Sequence, residues 1–358
     1  MDYQGRARRV QELVRQRQLD GLWVSRPENV RYLSGFTAPA DGRVLVTMDR
    51  ARLFTDARYT VQAQQEVTIE TIIWGGDERL LAVAEVLPRP WRLGCEADAI
   101  TVADKAHWER VTGLALWPQE PLIEELRLVK EPSEIELISR AAQVTDQALY
   151  RLLEKAEPGR RERELALELE WTMRQQGAQG AAFQIIVASG ERGAMPHGVA
   201  SARQIQRDEL VTFDLGAIVQ GYHSDLTRTY AFGQPSRHLA EVFDIVREAQ
   251  QAGVQAVRPG ATGAEIDAVC RSMIERAGYG EYFAHSTGHG VGLAIHEAPR
   301  LGRKSPAVLQ PGMVITVEPG IYLPGEGGVR IEDLLLVTEH GAQVLSHSPR
   351  GLYPQEQP

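Results

Sequence analysis

The spacing of apolar positions changes period along the chain. Residues 6–17 have helical spacing, and Gly21-Leu22-Trp23-Val24 is a short apolar run that predicts a buried strand. Strands are predicted over 43–48 and 52–55 around the turn Asp49-Arg50, and over 69–74 and 92–95, with a helix over 56–65. This mixture predicts a small α/β unit. The segment Trp117-Pro118-Gln119-Glu120-Pro121 reads as a junction, which places domains at 1–122 and 123–358.

A long helix is expected next, opened by a capping box of Ser133 with Glu136 and ended by Pro158-Gly159. An internal repeat follows. Pro158-Gly159, Glu164, Leu165 and Gly177 lie 101 residues before Pro259-Gly260, Glu265, Ile266 and Gly278, and Thr262 with Glu265 forms a second capping box. Each copy reads helix, Pro-Gly, helix, Gly, then strands. The expected fold is therefore α+β with two related halves, and a shared site between them. Strands are expected over 183–188, 203–206, 211–219 and 222–232, the last pair closed by Gln220-Gly221. With that turn, facing residues add to 441 in numbering. Asp214 and Asp225 add to 439, which makes them diagonal neighbours on one face. Two such carboxylates repel unless a cation lies between them.

Two further strands, 313–317 and 329–337, deliver Glu318 and Glu332, and the second places Arg330, Glu332 and Leu334 on one face. An arginine beside a carboxylate can be a salt bridge and nothing more. Buried strand carboxylates, however, need a partner or a cation. Between the repeat and these strands, His285, His289 and His296 fall within twelve residues, and glycines flank His289. Singly, an Asp on a strand or a lone His is most often structural. Together, Asp214, Asp225, His289, Glu318 and Glu332 form four carboxylates and one imidazole, enough negative charge for two divalent cations. This oxygen-rich, thiolate-free set suits Mn²⁺, with Zn²⁺ or Co²⁺ as alternatives. Two such ions acidify a water and polarise a carbonyl, which is chemistry for hydrolysing an amide or ester.

Composition narrows the partners. The chain has 358 residues, 43% hydrophobic and 24% charged, with net charge −9. No basic run tracks a phosphate backbone, which argues against nucleic acid and anionic membranes. The N-terminus is too charged for a signal peptide, and no apolar run approaches a membrane span. Cys95 and Cys270 form no CxxC and read as reduced thiols, so a cytoplasmic location is expected.

The segments FDLGA(x)6SDLTRT, STGHGVG, HEAP, VITVEPGIY and GVRIEDLLLV resemble those of the proline-specific metallopeptidases of the pita-bread fold. These are the Xaa-Pro dipeptidases (prolidases) and aminopeptidases P, relatives of methionine aminopeptidase and creatinase. The resemblance is dense over about 130–350 and looser in YLSGF and FTDARY of the N-terminal part. It implies a pita-bread catalytic domain with a pseudo-two-fold repeat, preceded by a smaller creatinase-like α/β domain. It also implies site roles. Asp214 would chelate one metal, Asp225 and Glu332 would bridge, and His289 would be a terminal ligand of the other. Glu318 would bind that second metal and shuttle a proton. His296 would hydrogen-bond the substrate carbonyl as charge develops, and His197 would face the scissile amide. His285 and Arg330 would line the proline side, where Arg330 becomes a substrate-side group. His223 lies near the ligand face but the motif assigns it nothing, so it reads as structural.

An Xaa-Pro amide has no N–H to donate and its ring fixes φ, so a ring-shaped pocket is needed. A dipeptidase also needs a cation for the proline carboxylate, best an arginine. Arg300 looks like the carboxylate-binding arginine of some prolidases, which favours cleavage of small proline-containing dipeptides. Aminopeptidase P, acting on longer peptides, is the alternative. A non-catalytic pita-bread binding module is more remote, because such modules lack the ligands present here. The resemblance also implies a homodimer.

Overall fold

The computed structural model describes residues 1–75, 80, 83 and 91–353. Two compact units are present, Met1–Arg127 and Leu128–Pro358.

The first unit is a six-stranded sheet in the order Glu70–Trp74, Ala51–Asp56, Arg43–Thr47, Gly21–Val24, Leu93–Glu96, Leu116–Gln119. Gly21–Val24 pairs antiparallel with Arg43–Thr47 and parallel with Leu93–Glu96. The strands expected in this region form to within a few residues. The helix expected over 56–65 is a 3₁₀ turn, Ala57–Tyr59, followed by Thr60–Glu66. Helices Pro27–Ser34, Val102–Thr112 and Ile123–Arg127 escaped the periodicity. Pro27–Ser34 starts with Pro at its first turn and ends on left-handed Gly35, two standard boundary signals. Val102–Thr112 buries only Trp108 and Thr112, too sparse a stripe to read.

In the second unit the 101-residue repeat is visible in the backbone. Helices Glu162–Gln175 and Gly263–Arg276 have 14 residues each. Each follows a left-handed glycine, Gly159 at φ 97° or Gly260 at φ 83°. Each then runs into another, Gly177 at φ 94° or Gly278 at φ 91°. The amide of Gly159 donates to Ile205 O at 2.8 Å, and that of Gly260 donates to Leu309 O at 2.9 Å. In each half a long helix, Pro132–Leu153 or Arg237–Ala256, precedes the pair. The expected capping box at Ser133 is displaced. Pro132 takes the first helical position, so Glu131 is the N-cap and Glu134 accepts from its amide at 2.9 Å.

The hairpin register is as the turn requires. Val219 faces Tyr222, Leu215 faces Leu226 and Asp214 faces Thr227. Gln220 (φ 48°) and Gly221 (φ 81°) are both left-handed, as a two-residue type I′ turn demands. Both strands nevertheless break. Glu209–Leu215 and Leu226–Phe232 lie in a sheet with Ile186–Ser189, whereas Ala217–Val219 and Tyr222–His223 pair beside Gly180–Ala181. The strand expected over 203–206 is only an isolated bridge, Arg161 to Gln204.

The second half holds a five-stranded sheet, Glu297–Leu301, Gly288–Gly290, Val314–Val317, Asp333–Thr338, Gly341–Val344. The strand expected over 329–337 is two strands. Gly327–Arg330 pairs with Gly320–Leu323, and Asp333–Thr338 pairs with Val314–Val317. Glu332 lies between them, its amide donating to Thr227 O at 3.0 Å. Behind each half an apolar core backs the sheets, one including Leu149, Leu169 and Phe213, the other Ile266, Ile315 and Leu335.

Candidate functional site

The strand breaks deliver the ligands. Asp214 is the next-to-last residue of its strand, and Asp225 immediately precedes Leu226–Phe232. A Cβ on Gly216 would lie 2.0 Å from Ser224 O, so only glycine lets the Ser224-Asp225 segment come this close. Glu318 follows Val314–Val317 and is fixed by its amide, which donates to Thr287 O at 2.7 Å. His197, Asp214, Asp225, His285, His289, His296, Arg300, Glu318, Arg330 and Glu332 all line one cavity of about 1030 Å³.

Ligand atoms of Asp225, His289 and Glu332 lie within 4.8 Å of one another. His289 Nδ1 is 3.0 Å from Gly290 O, and a carbonyl can only accept, so Nδ1 carries the proton. The lone pair of Nε2 then faces Asp225 Oδ2 at 3.5 Å and Glu318 Oε1 at 3.3 Å. Three acceptors converge on one point, an arrangement that a proton or a cation must bridge. Asp214 Oδ1 and Glu332 Oε1 are buried and lack a hydrogen-bond partner. Their second oxygens are committed, Asp214 Oδ2 to Arg330 Nη2 at 2.6 Å and Glu332 Oε2 to Thr227 Oγ1 at 2.7 Å.

The electrostatics point the same way. Burial, followed by the neighbouring Glu332, Asp214 and Glu318, pushes the Asp225 carboxyl well above its usual range. Burial, then Glu318 and Asp214, does the same to Glu332. Burial lifts Glu318 to about 8, although Arg330 opposes the rise. Burial lowers His289 to about 4, so its ring is neutral and free to coordinate. Carboxylates held protonated by their surroundings, two orphaned oxygens and a neutral imidazole aimed at them fit divalent cations held by oxygen and nitrogen.

Around this cluster the remaining residues are ordered. His285 Nδ1 donates to Ser286 O at 2.8 Å, so its Nε2 accepts from Tyr322 Oη at 2.8 Å, and that oxygen accepts from Arg330 Nη1 at 2.8 Å. Burial lowers His285 to about 4, consistent with a neutral ring locked in this chain. Arg330 also reaches Thr227 Oγ1 and Pro196 O, at 3.1 Å and 3.2 Å. Its salt-bridge partner is Asp214 rather than Glu332, because the chain turns between residues 330 and 333. His296 is exposed to the cavity, its ring centroid 4.4 Å from that of His289, and burial lowers its pKa. Arg300 is exposed, lines the cavity and makes no ion pair among the described residues. His223 donates from its amide to Gly292 O at 2.9 Å, its Nδ1 lies 3.2 Å from the same oxygen, and it is not among the residues lining the cavity. Tyr322 and Thr227 were not anticipated. Their only sequence signal is position, Tyr322 within VITVEPGIY and Thr227 facing Asp214 across the hairpin.

Residues 136–339 match the profile of metallopeptidase family M24, and residues 6–129 match the creatinase/prolidase N-terminal domain. The chain is 39% identical to the Xaa-Pro dipeptidase of Pyrococcus furiosus over 347 residues, 96% of this chain and 99% of that one. The structure of an Xaa-Pro dipeptidase from Bacillus anthracis superposes with a TM-score of 0.94 at 44% identity, covering 98% and 99% of the two chains. That of an X-Pro aminopeptidase from Thermotoga maritima superposes with a TM-score of 0.90 at 34% identity, covering 97% and 99%.

Proposed function

The chain belongs to metallopeptidase family M24, and from that premise we propose that it is an Xaa-Pro dipeptidase, a hydrolase that cleaves the amide between an N-terminal residue and proline. The observation that carries the reading is the cluster itself: four carboxylates and a neutral imidazole lining one cavity with an uncommitted arginine. Asp214, Asp225, His289, Glu318 and Glu332 hold two divalent ions. The oxygen-rich donor set favours Mn²⁺, with Zn²⁺ or Co²⁺ as alternatives. When bound, such ions supply an acidified water and a polarised carbonyl.

The protein groups do the rest. Glu318 accepts a proton during attack and returns it to the leaving proline nitrogen. His296 donates to the carbonyl oxygen as negative charge builds there. His197 faces the scissile amide. The locked chain of Arg330, Tyr322 and His285 walls the proline side. Arg300 binds the terminal carboxylate, and this role favours dipeptides over longer chains.

Turnover of Xaa-Pro and Xaa-Pro-Xaa under Mn²⁺ tests the assignment. Dipeptide turnover is expected to dominate. Good tripeptide turnover with none of the dipeptide would make the protein an aminopeptidase P, the reading favoured by its likeness to the T. maritima enzyme. Metal analysis should find about two ions per chain.

No helix among the described residues is long and apolar enough to cross a membrane. Cys95 and Cys270 are free and buried, which supports a reducing cytoplasmic setting. The assembly is a homodimer by family resemblance, to be tested by sedimentation.

A further inference from the structure

Lys130 and Glu297 form an ion pair at 2.8 Å that is almost closed to water, with side-chain exposures of 2% and 9%. Removing two charges from water is expensive, and an apolar pair of similar volume would often be as stable or more so. A role beyond stability is therefore needed to explain it. Its position suggests one. Glu297 directly follows His296 and opens the strand that carries Arg300. Across that strand it faces Gly290, next to His289. Its carboxylate packs over Gly292, where a Cβ would lie 2.4 Å from Oε1. Lys130 is itself anchored, its amide donating to Gly312 O at 2.9 Å.

We propose that Lys130 is a positioning residue. It holds Glu297, and through Glu297 it fixes the 291–297 segment so that His296 stands over the reaction centre. The segment is also held at its start, where the amide of Val291 donates to Val314 O at 3.1 Å and the side chains of Val291 and Leu293 are buried. Gly292 O accepts from the amide of His223 at 2.9 Å, and the amide of Gly292 donates to Ala294 O at 3.0 Å. The amide of Ala294 donates to Glu297 Oε2 at 3.4 Å, which ties the loop before His296 to the same carboxylate that Lys130 holds. The inference rests on the peptidase reading of the site, but the anchoring itself does not.

The test compares Lys130→Met, Lys130→Arg, and the double variant Lys130→Met/Glu297→Met, each in the metal-loaded full chain. Lys130→Met strands a buried carboxylate, so it is expected to lower both melting temperature and kcat. The double variant removes both charges and is expected to melt within about 3 °C of the parent. Its kcat on an Xaa-Pro dipeptide is still expected to be about 10- to 100-fold low, with KM changed less than about threefold. Lys130→Arg keeps the charge and is expected to recover part of the loss. Amide exchange over 291–298, read without substrate, is expected to quicken about tenfold or more in the double variant. Recovery of both kcat and exchange protection in the double variant would make the pair merely structural and overturn the inference. Faster exchange with unchanged kcat would overturn it too. If the parent protein shows no proline-peptide turnover, the peptidase reading fails, and exchange alone then decides the anchor.

Discussion

Arg330 Nη2 donates to Asp214 Oδ2 at 2.6 Å, while the other oxygen of that carboxylate is buried without a partner. One oxygen is held by the protein and the other is left for a ligand. Arg330 thereby aims Asp214. Burial opposes its charge, yet Tyr322, Asp214 and Glu318 keep its pKa well above the ordinary arginine value. Arg330→Met is expected to weaken metal binding and lower kcat/KM by about 10- to 100-fold each. Calorimetric metal titration and dipeptide kinetics would check this. Unchanged metal affinity would show that Asp214 needs no such aiming.

Glu332 is the next case, because catalysis and stability should move in opposite directions. Glu332→Gln removes a carboxylate crowded by Glu318 and Asp214 but leaves the shape. The metal-free variant is expected to melt higher than the metal-free parent, with activity below about 1% of it. Melting curves after chelation and kinetics after metal addition give both readings.

The pH dependence of the metal-free protein follows from the same crowding. Glu318 has its pKa raised to about 8, so the folded state keeps a proton that the unfolded chain gives up near the ordinary carboxylate value. A raised folded pKa stabilises fully below the unfolded value, and that contribution is lost as pH rises through about 8. Asp225 and Glu332 are shifted the same way. His285 and His289 act in the other direction. Their pKa values are lowered to about 4, so their contribution is present above the unfolded value and is lost as pH falls through about 4. From pH 6.5 to 8.5 the carboxyls dominate, and metal-free protein is expected to lose melting temperature. Divalent metal should flatten that slope. A flat metal-free profile would contradict the placement of these groups.

Arg300 separates substrates by length. Arg300→Ala is expected to raise KM for an Xaa-Pro dipeptide by about 10- to 100-fold, the worth of a charge-assisted hydrogen bond. The same variant should change a tripeptide, whose carboxylate lies one residue further on, by less than about threefold. Equal losses on both substrates would remove Arg300 from carboxylate recognition.

What could be read in advance was whatever sequence separation alone determines. The two-residue turn Gln220-Gly221 fixes the register, and with it the diagonal placement of Asp214 and Asp225. The repeat was legible because left-handed glycines recur at the same offset. The partner of Arg330 was not legible, since Asp214 lies 116 residues away and meets it only through tertiary packing. Nor was the break at Gly216, where both flanking segments still read as strand. The capping box was misplaced because Pro132 decides the helix start more strongly than Ser133 does. Lys130 with Glu297 had no local signal at all.

The four glycines that punctuate the repeat, Gly159, Gly177, Gly260 and Gly278, share one further property. A Cβ added to any of them would meet nothing within 4 Å. Glycine is required there by the hand of the backbone and not by lack of room at the L side-chain position. An L-alanine would strain the turn by about 1–2 kcal/mol. The opposite hand suits this backbone, so D-alanine introduced by chemical ligation is expected to rigidify the unfolded chain and gain about 0.4–1 kcal/mol per site, while a loss of stability would show that the other side of the Cα is closed. The repeat thus offers four stereochemical handles, set away from the metal ligands, for stiffening the scaffold without touching its chemistry.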